Sequence, residues 1–201
     1  MKNGIIMLPE EEHNMIFFPN RVQRYTSALR LYIQHSVLQK GLNRSHTAQL
    51  KKITLAEALA SKNEISPVNI NELSDSLLGT AQIMMFKNAE PLKVDLGGGG
   101  VFLINKQLYT ALVLELVACG CERITVISRS PNTVIKARRL CKYGNLPKIV
   151  KAMSGILMVE TKSGAAIIRF PSPSTTLKAK KTENEWYYLL DSFSPVNIWL
   201  K

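Results

Sequence analysis

Cysteine is scarce in this chain: Cys119, Cys121 and Cys141 are its only three among 201 residues. An odd count with no export signal argues against a disulfide framework, so reduced, buried thiols are expected. With no histidine close to them in the sequence they also make a poor zinc site. Long apolar runs are missing as well. No stretch approaches the roughly eighteen apolar residues that a spanning helix needs, and Gly4 to Leu8 is too short for a secretory h-region. The expected location is the cytoplasm. Acidic residues are rare in one part only: residues 1–122 carry 12 Lys+Arg against 11 Asp+Glu, while residues 123–201 carry 14 against 4. That asymmetry implies an acidic partner, whether a protein face, a nucleic acid or an anionic membrane surface.

What is present is enough for one ordinary domain or two small ones. The hydrophobic share is 46% and the charged share 20%, a composition that can build a packed core. After Pro9, apolar residues recur at helical spacing through Val22, Tyr25, Leu29, Tyr32, Ile33 and Val37, and Gly41 ends the pattern. Asn43 or Ser45 can cap a second helix through Leu50, Ile53, Leu55, Ala58 and Leu59. Two such helices cannot bury both apolar stripes against each other, so the hairpin is expected to pair with a second copy as a dimeric four-helix bundle.

Ser66-Pro67 breaks the helical pattern, and Asn69 or Asn71 opens a third helix with Leu73, Leu77, Leu78, Ala81, Met84 and Met85 on its apolar face. Further on, the spacing predicts a strand at 92–96, a glycine loop at 97–100, a helix at 103–119, and strands at 123–129 and 133–138. A short helix at 147–153 and a hairpin of 156–160 with 165–170 complete the series. This order implies an α/β sandwich with helices on one face of a mixed sheet, and an α+β chain as a whole. Residues 172–182 read as an exposed linker. The last segment concentrates Trp186, Tyr187, Tyr188, Phe193 and Trp199, too much apolar surface to remain in water. It is either a partner or membrane-surface anchor, or an element folded back over its own sheet. The division is 1–65, 66–171 and 172–201.

Pro67-Val68-Asn69-Ile70-Asn71-Glu72-Leu73, the helix Leu112-Val113-Leu114-Glu115-Leu116-Val117-Ala118-Cys119-Gly120, and the stretch from Gly144 to Phe170 follow one another in an order that resembles bacterial histidine kinases and their relatives with the GHKL type of ATPase domain. The resemblance covers roughly residues 10–171. It implies a dimerising hairpin, an ATPase-type domain and response-regulator receiver domains as partners. It also implies a nucleotide site with magnesium held by an asparagine, at the position that here is Cys119. A soft thiol is a poor ligand for that hard cation. Glu115 persists. The family's adenine-reading aspartate is replaced by Arg139 or its neighbour, and arginine has no acceptor for an amino group. Too few residues lie between Arg139 and Pro147 for a lid, and only Gly144 remains of the second glycine box. No cofactor is therefore expected, with remnants of the site at Glu115, Cys119 and Gly144. Gly97 to Gly100 reads either as a phosphate cradle or as a plain turn.

His13, six residues before Pro19, is the candidate phosphoacceptor by its likeness to the family's H box. It could accept a phosphoryl group by nucleophilic catalysis, or be a solvated residue in a frayed terminus. His35 and His46 are read as structural. The acid-free run from Arg129 through Arg138, Arg139 and Lys142 reads as a docking face for an acidic protein, with nucleic acid or a membrane surface as the weaker choice. The expectation is thus a noncatalytic histidine kinase-like protein of two-component signalling, acting by phosphotransfer or regulatory binding without ATP hydrolysis. The alternatives are an active ATP-dependent sensor kinase with an atypical site, and a basic nucleic-acid or membrane-surface binder on the same scaffold.

Overall fold

Asn43 ends one helix-to-helix connection and starts the next helix. Its backbone is extended, and its side chain accepts the His46 N–H at 2.9 Å, satisfying one of the donors that a helix leaves open at its first turn. The computed structural model describes residues 18–40, 43–85, 92–160, 163–183 and 185–200. Within it, α1 (Phe18–Lys40) and α2 (Arg44–Ala60) form the expected hairpin. Arg30 ties them together, donating to Glu57 Oε2 at 2.5 Å and to Thr54 Oγ1 at 2.9 Å. Ile33, Leu50 and Ile53 are buried between the helices, with Leu29 and Val37 packed beside them. Tyr25 and Tyr32, read from the sequence as part of the same stripe, point the other way and are exposed. The expected start after Pro9, the stop at Gly41 and His13 lie outside the described residues.

Beyond the hairpin, Ser66-Pro67 does more than interrupt a helix. Ser66–Asn69 is β1, paired antiparallel with β3 (Val101–Ile104), and β3 in turn pairs antiparallel with β8 (Ser174–Thr175). The helix expected from Leu103 accordingly starts later, as α4 (Lys106–Ala118), behind an Asn105 cap whose Oδ1 accepts the Leu108 N–H at 2.8 Å. A continuous apolar run conceals the boundary between strand and helix. The main sheet contains β2 (Lys93–Gly98), β4 (Arg123–Arg129), β5 (Asn132–Arg138), β6 (Ile156–Glu160) and β7 (Ala165–Pro171) in the order β2-β4-β5-β7-β6. Among the described residues only β2 and β4 are parallel neighbours. Gly97 and Gly98 belong to β2 rather than to a loop, and Gly98, at φ 81, lies so close to the Ser128 carbonyl that no side chain fits there.

The helices α3 (Ile70–Met85), α4 and α5 (Leu146–Ala152) lie on one face, and the core forms where Leu73, Leu77, Leu112, Ile124, Val126 and Ile168 meet. The Tyr109 hydroxyl is buried against Ser74 Oγ at 2.5 Å, and Ser74 Oγ in turn donates to Ile70 O at 2.6 Å. The other face of the sheet is open to solvent. From Leu108 to Val117 every residue of α4 except Thr110 is buried, Glu115 included. A helix that is apolar nearly all round needs cover on every side.

The tail supplies the missing cover. Residues 172–182 are not simply an exposed linker: Ser172 is buried and shares a 2.8 Å hydrogen bond with Thr133, and β8 extends the small sheet. Two six-residue helices follow, α6 (Glu185–Leu190) and α7 (Pro195–Leu200), each too short to persist alone. Asn197 Nδ2 holds them together through Tyr188 O (2.7 Å) and Asp191 O (2.8 Å), while Tyr188, Val196, Ile198 and Trp199 are buried. The aromatic tail thus folds back onto the helical layer rather than onto the sheet, the second of the two placements expected from the sequence. Ile198 completes the hairpin's own apolar cluster.

Candidate functional site

Glu115 lies near the end of α4 with its carboxylate wholly engaged by the chain. Oε1 accepts the Asn145 backbone N–H at 2.9 Å and the Asn145 side-chain amide at 3.1 Å. Oε2 accepts the indole N–H of Trp199 at 2.7 Å and lies 3.0 Å from Lys51 Nζ. Lys51 also stands 5.2 Å from the centre of the Trp199 ring, in a cation–π contact. Burial pushes the Glu115 carboxyl up, but the Asn145, Trp199 and Lys51 hydrogen bonds with the Lys51 charge outweigh it and hold the group below its ordinary value. Three segments meet at this one side chain: the hairpin through Lys51, the sandwich through Asn145, and the tail through Trp199.

The backbone around Glu115 is shaped for this closeness. Gly144 has φ 47, and a Cβ there would overlap Glu115 Oε1 and come within 3.4 Å of Cys119 Sγ. Glu115, Cys119 and Gly144, the three expected remnants, are therefore brought together. Cys141 N–H donates to Cys119 O at 2.9 Å, closing the loop over the end of α4. Burial, reinforced by the Glu115 charge, pushes the Cys119 thiol up to about 11, and burial pushes Cys121 up to about 12. Both remain neutral thiols at physiological pH. Cys141, expected to be buried, is exposed.

A magnesium nucleotide fits this donor set badly. The Glu115 oxygens already have four donors, Cys119 offers a protonated soft atom to a hard cation, and among the described residues no group of three His, Cys, Asp or Glu side chains could hold a metal ion.

The basic residues divide into two places. Register sets Lys93, Arg123 and Arg138 side by side across β2, β4 and β5, on the open face of the sheet. With Arg139 and the acidic Glu122 and Glu160 they line a cleft of about 560 Å³. Arg139, at φ 58, pairs with Glu122 at 2.7 Å, and Arg123 lies 3.8 Å from Asp95. Arg129 is at the opposite end of β4, six residues and about 20 Å away. Lys142 is exposed near Cys119, whose thiol its charge lowers slightly. His35 is exposed on α1, and His46 is half-buried, its Nε2 3.3 Å from Ser36 Oγ. Sequence reasoning found Glu115 but missed its partners. Lys51 and Trp199 lie 64 and 84 residues from it along the chain, and no local spacing pairs them. Asn145 carries the nearest thing to a signal, an amide side chain just before a helix.

No protein-family model matches the sequence, and no curated protein does. Among solved structures, full-length ShkA in complex with AMPPNP aligns with a TM-score of 0.51 at 12% identity, covering 80% of this chain and 47% of that one. The Acinetobacter baumannii histidine kinase AdeS aligns at 0.45 and 10% identity, over 77% of this chain and 98% of that one. The cytoplasmic segment of the histidine kinase QseC gives 0.46 and 10%, over 61% and 89%. Among the described residues no helix is long and apolar enough to cross a membrane. A helical hairpin leading into a mixed five-stranded sheet with helices on one face is the architecture the sequence resemblance called for, and the chain has a histidine kinase-like fold.

Proposed function

We propose that this chain is a noncatalytic histidine kinase-like protein of two-component signalling, a homodimer that works by phosphotransfer or regulatory binding and does not hydrolyse ATP. The observation that carries the reading is the engagement of Glu115. The position at which the resemblance implies a nucleotide is filled from within by Asn145, Lys51 and Trp199. The protein's work then falls to its surfaces. Tyr25 and Tyr32, exposed on α1, suit a four-helix bundle formed with a second hairpin. The row Lys93, Arg123 and Arg138 suits an acidic partner such as a receiver domain.

Thermal unfolding with and without Mg-ATP is the first test. A ligand at a hundred times its dissociation constant adds about 2.7 kcal/mol, which in a domain of this size moves the midpoint by several degrees. No shift is expected, and a shift of that size would establish nucleotide binding and overturn the filled-site reading in favour of the kinase alternative. The second test is phosphotransfer from a labelled receiver domain to the wild-type chain, to His13→Ala and to His35→Ala. Label retained by wild type and lost in His13→Ala makes the protein a relay. Absence of label in all three leaves regulatory binding, to be read as salt-sensitive association with the unphosphorylated receiver.

A further inference from the structure

The main sheet has two edges, and they are built in opposite ways. β2 presents Lys93 and Asp95 on the open face and ends in two glycines, features that discourage a further strand. β6, Ile156-Leu157-Met158-Val159-Glu160, has no lysine and no proline, and its one charge is at the end. Ile156 is 60% exposed, Met158 51% and Val159 37%, and the register sets the exposed Ile167 next to Met158. Among the described residues β6 pairs with β7 alone, so apolar side chains flank a backbone edge whose outer hydrogen-bonding groups have no strand partner.

We propose that β6 pairs antiparallel with β6 of a second copy about a two-fold axis at Met158, joining two five-stranded sheets into one. Register and charge select a second copy as the occupant. In this pairing Ile156 lies opposite Glu160 of the second copy, and Arg169 is the β7 neighbour of Ile156 on the same face. Arg169 is therefore two strands, about 10 Å, from that glutamate, a gap that the two extended side chains bridge over Ile156. Glu160 accepts one bond from Ser163 Oγ at 2.6 Å and has a second oxygen to offer. The two-fold repeats the contact, so each subunit gives one charge and receives the other, the self-complementary arrangement of an isologous interface. Parallel pairing would oppose Glu160 to itself, a like-charge pair. Across the seam, Leu157 meets Val159 and Met158 meets Met158. This interface is separate from any dimer made by the hairpin and does not depend on the absence of catalysis. With a formal charge of +11 on each copy, general repulsion opposes association, so added salt strengthens it. Docking of an acidic protein responds in the opposite sense.

The test is the light-scattering mass of the full chain over a range of concentration and salt. Wild type is expected to assemble, more so at high salt, and Met158→Lys to lower the mass at least two-fold while leaving the thermal midpoint close to wild type. Glu160→Arg and Arg169→Glu are each expected to weaken association about tenfold, and the double variant, or an equimolar mixture of the two singles, to restore it. A wild-type chain that stays monomeric, a mass unaffected by Met158→Lys, or charge reversals that do not rescue each other would overturn the proposal. If Tyr32→Lys alone dissociates the protein and Met158→Lys does not, the hairpin dimer stands and the β6 interface falls.

Discussion

Replacing Trp199 by phenylalanine would remove one donor from Glu115 and keep most of the ring. A hydrogen bond to a charged, buried acceptor is worth about 1.5–3 kcal/mol, and the smaller ring adds about 1 kcal/mol of lost packing. Trp199→Phe is therefore expected to destabilise by about 2.5–4 kcal/mol by these two effects together. Glu115→Gln removes the charge that Lys51 and the indole share and turns an amide donor toward donors, at a cost of about 3–5 kcal/mol. The informative quantity is the coupling between them. If the 2.7 Å contact is what joins the tail to the sandwich, the double variant should be less destabilised than the sum of the singles by about 1.5–3 kcal/mol. Urea unfolding followed by far-UV circular dichroism, with unchanged m values, measures each corner of the cycle. Additivity within about 0.5 kcal/mol would refute the assignment of Glu115 as the joint.

The pH dependence follows from the same group. The Glu115 carboxyl is held below its ordinary value of 4.5, so its contribution is complete above that pH and is lost as pH falls through the lower folded value. The stability difference between wild type and Glu115→Gln should narrow in acid below pH 4.5, and a constant difference would count against it. Gly144→Ala meets both a positive φ and the Glu115 oxygen, and should cost more than the roughly 1–2 kcal/mol of the backbone conformation alone; a neutral result in thermal unfolding would exclude the contact. Ser74→Ala leaves the buried Tyr109 hydroxyl without its partner, at about 1–3 kcal/mol, while adding Tyr109→Phe should recover part of that loss, as calorimetry would show. A chain ending at residue 182 loses four buried apolar side chains worth about 1.5–3 kcal/mol each, and is expected to show no cooperative unfolding transition.

The elements legible in the sequence were those with a clear period and room to display it. β4, β5 and β7 alternate in burial over seven residues, and these three and the apolar β6 lie within a residue of the expected bounds. β1, β3 and β8 span four, four and two residues, too short for alternation to register, and β3 merges with the apolar start of α4. On α1, helical spacing shows which residues could share a stripe but not how wide a stripe the partner covers, so Tyr25 and Tyr32 were grouped with the buried Ile33. Within the site, Glu115, Cys119 and Gly144 stand in an ordered motif that the sequence displays, and the fold brings them together. Lys51 and Trp199 escaped because their pairing exists only after the chain has folded, across 64 and 84 residues.

One carboxylate shared by three segments has a consequence for how information crosses the molecule. A tilt of α2 must drag or break the Lys51 contact, and the loss is felt at once by the indole and the Asn145 amides bound to the same two oxygens. Free energy transmitted in one direction is returned in the other. Any stabilisation that a ligand clamping the hairpin passes through Glu115 to the last two helices is matched by an equal stabilisation of the hairpin by whatever grips those helices.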